Sequence, residues 1–288
     1  MEVERADEKH HQKRSRCLAA GFVVSDSGHA ASGSLKTMTV ETRFNLKGKP
    51  AVLVGGSGYL CSALSKAMCE SGMNVAIVDI AEPPDPAKHS KELVYLRGSA
   101  TLKSDLERCR EEVLRRFGRV DVLLNAAGAN APTPFLEITQ EEIDMIVGAH
   151  IKGTVFPCQV FGEAMIKQRS GSIINFTSVS AGPPLSKAFI YSAAKAAVAN
   201  LTQNLAREWA PFNVRVNALK PGFFPTQWSM KHFIDKGRQD RILGHTPMAR
   251  FGEPMELAGA VLWLASDAAS FVTGSIVAVD GGFTAMTI

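Results

Sequence analysis

A doubly wound parallel α/β sheet, one domain with helices on both faces, is predicted by three features of the chain. Short apolar runs such as Ala51-Val52-Leu53-Val54 and Val75-Ala76-Ile77-Val78 alternate with longer stretches of helical period, the first passing through Leu64, Met68 and Gly72. Runs so uniformly apolar suit strands buried on both faces, and parallel neighbours need a crossover helix between them. A glycine turn follows the first run, and an acid, Asp79, ends the second. Strand, turn, helix, strand and acid make a βαβ unit whose turn amides and helix N-terminus suit a pyrophosphate.

The 288 residues are 45% hydrophobic and 21% charged, which suits one core of roughly 250 residues. No apolar run reaches the ~18 residues of a membrane span. The formal charge of +4 is small and its Lys and Arg are scattered, so neither a nucleic-acid nor a membrane partner is expected. Cys17, Cys61, Cys69, Cys109 and Cys158 form no Cys-x-x-Cys pair and no zinc-finger spacing with histidine. Reduced thiols, no metal and a cytoplasmic location are the expectation. Residues 1–43 are polar and lack sustained periodicity, and are expected to be a disordered extension ahead of a domain over 44–288. Glu2, Glu4, Asp7 and Glu8 argue against a transit peptide, and Ala19 to Val24 is too short for a secretory segment.

In chain order, Gly55-Gly56-Ser57-Gly58-Tyr59-Leu60-Cys61 forms the turn, and Asp79 precedes Ile80. An acid there accepts from ribose hydroxyls and repels a 2′-phosphate, with no Lys or Arg in the turn to offset it, so NAD(H) is expected over NADP(H). Leu93 to Leu96 reads as a strand, Ser104 to Phe117 as a helix, and Val120 to Leu124 as a strand running into Asn125-Ala126-Ala127-Gly128. Thr139 and Glu142 make a capping box that opens a long helical stretch carrying His150. Strands follow at Ser172 to Thr177 and Val214 to Leu219, the latter closed by Pro221-Gly222-Phe223-Phe224-Pro225-Thr226. Residues 227–245 mix aromatics with charge, as a substrate lid would. A helix through Leu257, Val261 and Leu264 and a strand over Ile276 to Val279 complete the chain.

The chemistry is carried by Tyr191 and Lys195, four apart and so on one helical face. A phenol with an ordinary pKa of about 10 needs a fixed cation to exchange protons near neutrality, and Lys195 is expected to supply it. Ser178, thirteen residues earlier at the end of a strand, is placed to share a substrate carbonyl with the tyrosine. Asn130, Lys187 and Gln227 are further substrate candidates; Lys187 stands four residues before Tyr191, and Lys231, Lys236, Arg238 and Arg241 sit in the lid, all able to meet or steer a carboxylate.

From Phe44 to the C-terminus these motifs resemble the short-chain dehydrogenase/reductase family, Rossmann-type enzymes with nicotinamide cofactors and a Ser-Tyr-Lys triad. The resemblance implies Ser178, Tyr191 and Lys195 as the triad. It implies a cofactor site of Gly55, Ser57, Gly58, Tyr59, Leu60, Asp79, Ile80, Asn125, Ala126, Ala127, Gly128, Tyr191, Lys195, Pro221, Gly222, Phe224 and Thr226. Four positions depart from the family: Val54 stands for a threonine, Cys61 for a glycine, Ser99-Ala100 where an aspartate is common, and His150 for an asparagine. His150 is expected to keep the backbone carbonyl of a water relay to Lys195 and to titrate in the working pH range. Phe161-Gly162, His245-Thr246-Pro247-Met248 and Arg250-Phe251-Gly252-Glu253-Pro254 look most like the sugar-acid branch, mannonate oxidoreductases (fructuronate reductases) and gluconate 5-dehydrogenases. A 3-oxoacyl or simple alcohol dehydrogenase, or a nicotinamide-binding regulator without turnover, are the alternatives. A small-molecule substrate and a homotetramer or homodimer are implied.

Overall fold

The apolar runs become the strands of one parallel sheet. The computed structural model describes residues 39–81 and 92–286, with the side chains of 227, 228 and 232 excepted. Its strands are β1 (Pro50–Val54), β2 (Asn74–Asp79), β3 (Leu93–Arg97), β4 (Val122–Asn125), β5 (Gly171–Phe176), β6 (Val214–Pro221) and β7 (Ile276–Val279). They lie in the order β3-β2-β1-β4-β5-β6-β7, every pairing parallel. The order reverses between β1 and β4, so the connections leaving their carboxyl ends run to opposite sides and leave a crevice there.

The helices are α1 (Val40–Arg43), α2 (Tyr59–Glu70), α3 (Lys103–Phe117), α4 (Gln140–Val147), α5 (Gly153–Gln168), α6 (Phe189–Trp209), α7 (Gln227–His232), α8 (Lys236–Gly244) and α9 (Ala258–Ala265). Strand alternation divides the core in two. Ala51, Leu53, Val75, Ile77 and Leu124 face Leu64 and Met68 of α2 and Val261 and Leu264 of α9. Val52, Val54, Ala76, Val78 and Leu123 face Leu106 and Val113 of α3 and Phe161 and Met165 of α5. Each fully buried leucine, valine or phenylalanine contributes about 1.5–3 kcal/mol, so both faces must be covered for the sheet to persist.

Several boundaries differ from the sequence reading for local reasons. Residues 39–43 were assigned to the extension, yet Thr39 caps α1, accepting from the Thr42 amide at 3.3 Å; residues 1–38 lie outside the described residues. β4 starts at Val122 because the Gln168 side chain takes both backbone groups of Val120, at 3.0 and 2.8 Å. The capping box at α4 is half formed: Thr139 accepts from the Glu142 amide at 3.2 Å, but the Glu142 carboxylate takes the Thr133 hydroxyl at 2.6 Å instead. The C-terminal helix is broken in two, a tight turn over Pro254–Leu257 preceding α9. Among the described residues, no helix is long and apolar enough to cross a membrane.

Two buried polar devices fix the strands beneath the crevice. Asn125 at the end of β4 donates to Asn175 of β5 at 2.9 Å, and Asn175 donates to Thr202 of α6 at 2.9 Å. Thr202 in turn donates to the Val198 carbonyl at 2.8 Å. Further out, Arg215 of β6 donates to the Leu264 and Ser266 carbonyls at 2.6 and 3.2 Å, satisfying the last turn of α9.

The Asn175→Leu variant removes the middle of the buried chain and leaves the Asn125 amide and the Thr202 hydroxyl each short of a partner. Urea unfolding should show a loss of about 1–3 kcal/mol. An unchanged midpoint would mean that the chain is not holding β4, β5 and α6 together.

Candidate active site

The glycine turn is held against β4. Gly55 has φ of +76°, and a Cβ there would run into the Ala127 backbone, so only glycine lets the turn close. Asp79 fastens the same turn, its Oδ2 accepting from the Ser57 amide and its Oδ1 from the Ala81 amide, both at 3.0 Å. A cavity of about 500 Å³ opens beside it, bringing together Gly55, Ser57, Gly58, Asp79, Ile80, Ala126, Ala127 and Gly128. Ser99, Ala100 and Thr101 close its far corner, with the Ser99 and Thr101 hydroxyls 2.9 Å apart.

Two of the expected contacts are placed elsewhere. Tyr59 points its half-exposed side chain outside the lining, and Asn125 is buried below it in the polar chain described above. The turn nevertheless fits a dinucleotide. No side chain caps α2, so the amides of its first turn stay open, and the buried Ser57 hydroxyl has no partner among the described residues. Of the departures, Val54 is core packing, and Cys61 is a buried thiol pushed up to about 12, by burial first and the Asp79 charge second. Such a thiol is inert.

A second cavity of about 380 Å³ joins the first and is lined by Leu60, Ala126, Gly128, Asn130, His150, Ser178, Tyr191, Lys195, Pro221, Gly222 and Phe224. β5 delivers Ser178 at its carboxyl end, where its hydroxyl accepts from the Ser180 amide at 3.2 Å and the Ser180 hydroxyl at 3.1 Å. Those two donors occupy the Ser178 lone pairs, which leaves its own proton for another acceptor. One turn of α6 places the Lys195 amine 5.7 Å from the centre of the Tyr191 ring. The amine donates to the Phe176 carbonyl at 2.7 Å.

Burial dominates the electrostatics here. It lowers the Lys195 pKa to about 7. It raises the phenol of Tyr191, with the Ser178 hydroxyl opposing. The expectation that Lys195 brings the phenol down toward neutrality is therefore not met in the protein alone: the amine has lost much of its own charge to desolvation before it can act on the ring.

His150 lies in a π turn, Gly148–Lys152, between α4 and α5. Its ring meets Tyr191 edge to face, centroids 5.1 Å apart, and its Nε2 stands 2.7 Å from the Ala129 carbonyl. A side chain at Gly128 would strike the ring at 2.5 Å, so that glycine makes room for the histidine. Burial, reinforced by Lys195, lowers the His150 pKa to about 4, against the bond to Ala129. The expected titration in the working range is overturned: the ring stays neutral, donates from Nε2, and leaves Nδ1 buried without a partner among the described residues. Its backbone carbonyl accepts the Thr154 hydroxyl at 2.8 Å.

Beyond Tyr191 a third cavity, of about 650 Å³, runs under the lid. Asn130, Ser178 and Tyr191 line it together with Gly222, Phe224 and Thr226, which the sequence reading assigned to the cofactor. Thr226 is also the cap of α7, its hydroxyl accepting from the Ser229 amide at 3.0 Å. Lys187, with φ of 59°, is exposed and not part of the lining; the side chain of Gln227 lies outside the described residues. Sequence reasoning missed Ser180, Met145, Val179, Phe233 and Ile234, which come from three separate segments and share no motif.

Comparison with known proteins bears on the family and the fold. A family model described as enoyl-(acyl carrier protein) reductase matches residues 60–284. The uncharacterized oxidoreductase UxuB of Bacillus subtilis (strain 168) is 39% identical over 269 residues, covering 84% of this chain and 96% of that protein. Among solved structures, a gluconate 5-dehydrogenase from Burkholderia cenocepacia J2315 in complex with NADP and tartrate has a TM-score of 0.79 at 26% identity, over 85% of this chain and 98% of that one. A chain from Haemophilus influenza with bound NAD, for which D-mannonate oxidoreductase activity is suggested, has a TM-score of 0.77 at 30% identity, over 84% of this chain and 97% of that one. Matched over most of its length, and by relatives spanned nearly end to end, the chain belongs to the short-chain dehydrogenase/reductase family of oxidoreductases.

Proposed function

We propose that the chain is an NAD-dependent oxidoreductase that interconverts a secondary alcohol and a ketone in a sugar acid of the mannonate/fructuronate or gluconate type. The observation that carries this reading is the meeting of Ser178, Tyr191 and Lys195 where the nucleotide crevice opens into the cavity under the lid. Gly55, Ser57, Gly58, Leu60, Asp79, Ile80, Ala126, Ala127 and Gly128 would hold the dinucleotide, with Lys195, Pro221, Gly222 and Phe224 toward its nicotinamide end. When bound, the nicotinamide group supplies or accepts the hydride.

The chain itself handles the substrate oxygen. Ser178 points its free proton at that oxygen, fixed in this role by the two donors from Ser180. Tyr191 moves a proton to the oxygen in reduction and from it in oxidation. With its pKa raised, the phenol stays protonated through the neutral range, which favours donation, the reductive direction. The phenolate left behind gains from an ammonium at Lys195, and His150, being neutral, adds no competing charge. Phe224 and the lid residues Phe233 and Ile234 exclude water from the exchange.

Hydroxyl and amide groups of Asn130, Ser180, Thr226 and Ser229 in the cavity wall support a polyhydroxy substrate, as do the gluconate and mannonate assignments of the two structural neighbours. The apolar wall of Met145, Val179, Leu185 and Phe233 favours the second reading, a 3-oxoacyl or simple alcohol dehydrogenase. For the cofactor, Asp79 faces the adenosine cavity and none of the described lining residues is a lysine or arginine. The free thiols of Cys61, Cys69, Cys109 and Cys158 support a cytoplasmic enzyme, and fully exposed Leu136 and Phe271 support a homotetramer or homodimer.

Two measurements test this reading. The kcat/KM for NAD(H) should exceed that for NADP(H) by about tenfold or more, a like-charge clash at Asp79 costing at least the ~1.4 kcal/mol which that factor represents; a preference for NADP(H) contradicts it. The second is pH dependence. Lys195 is charged below its pKa of about 7 and neutral above it, so reductive kcat/KM should fall as pH rises through that value. His150→Asn should leave the descending limb in place, and a limb between pH 5 and 7 that disappears in this variant would contradict a neutral His150.

A further inference from the structure

The lid carries a cation that forms no ion pair with any described residue. Arg238 is on the first turn of α8, whose N-cap is Asp235. The Asp235 carboxylate accepts the Arg238 backbone amide at 2.7 Å, and so serves the helix. The guanidinium extends the other way. Its Nη2 donates to the Ser186 carbonyl at 2.9 Å, in the loop between Ser178 and Tyr191, while its Nη1 is buried with no partner among the described residues. Burial lowers the pKa of the group, with Asp235 opposing and Arg241 adding to the effect.

The other lid cations stand differently. Lys236 is exposed and paired with Asp240 at 2.8 Å, and Lys231 and Arg241 are exposed. Of the described residues lining the cavity that also holds Ser178 and Tyr191, Arg238 alone bears a charge, and no carboxylate lines it. A guanidinium cannot shed its proton, so a buried N–H on it without an acceptor is a standing cost that an incoming anion removes. Free N–H groups remain on both terminal nitrogens, in the fork that matches the two oxygens of a carboxylate.

We propose that Arg238 is the substrate's carboxylate anchor: it binds the acid end of the hydroxy or keto acid while Ser178 and Tyr191 hold the reacting oxygen. This rests on the sugar-acid reading and assigns its specificity to one residue. Because the same guanidinium grips the Ser186 carbonyl, the anchored substrate also ties α8 to the loop beside the reacting carbon.

The test compares D-gluconate and D-mannonate with D-sorbitol and D-mannitol, the same chains without the carboxylate, in the wild type, Arg238→Gln and Arg238→Lys. Arg238→Gln should raise KM for the acids on the order of 100-fold while kcat and the polyol KM change by less than about threefold, since truncating a buried charge pair acts on binding. Arg238→Lys should fall between, keeping the charge but not the fork. Calorimetry of D-gluconate binding to the NADH-loaded enzyme reads the anchor without turnover; equal binding by wild type and Arg238→Gln overturns it, and matching melting temperatures exclude a folding defect. Sugar-acid turnover that survives Arg238→Gln removes the anchor and leaves the substrate reading standing. A wild type that neither binds nor turns over the acids contradicts both.

Discussion

A lysine amine buried at the carboxyl end of β5, with the Phe176 carbonyl as its hydrogen-bond acceptor, is the constraint on which the site depends. Desolvation opposes charge there and takes the group to about pKa 7, which leaves it able to change charge near neutrality. The surroundings hold it in place. Pairing of β5 with β6 fixes the Phe176 carbonyl, and the Asn125–Asn175–Thr202 chain pins α6 to the ends of β4 and β5. One turn of α6 sets the distance from Lys195 to Tyr191, and the buried contacts hold that face of the helix toward the crevice.

Much of this was legible in the residues. The buried strands follow from unbroken apolar runs, because a parallel sheet covered on both faces leaves no polar alternation. The Tyr191–Lys195 pair follows from a spacing that helix geometry converts directly into a shared face, while the triad with Ser178 came from the family resemblance. What failed was direction and environment. Asn125 lies in order with Ala126 and Gly128, yet its side chain turns into the core to meet Asn175. Lys187 lies one helical turn before Tyr191 in number, but α6 begins only at Phe189, so the helical argument does not reach it. His150 was expected to titrate because an unperturbed imidazole has a pKa of about 6.5; its burial comes from Tyr191, Ala129 and Gly128, all distant in the chain.

The same limit applies to substrate recognition. The cavity under the lid is assembled from the segment after β4, α4, the loop after β5, the start of α6, the segment after β6 and α7 to α8, which are far apart in the chain. Composition shows that the lid is charged without showing which charge turns inward. Lys236 finds Asp240 one turn along its own helix and is spent there, whereas Arg238 reaches across to Ser186 and keeps a buried donor open. On the proposed reading, selectivity is a matter of which lid cation the packing leaves unpaired.

The central claim is that the phenol of Tyr191 carries the proton while the rest of the site binds. Tyr191→Phe removes one oxygen from a half-buried ring and disturbs neither Lys195 nor the glycine turn. Fluorescence titration with NADH and steady-state turnover on the same preparation should show cofactor affinity within about threefold of wild type and kcat reduced by roughly 10²–10⁴, the usual contribution of a positioned acid or base. Turnover within tenfold of wild type, with NADH still bound, would contradict the account.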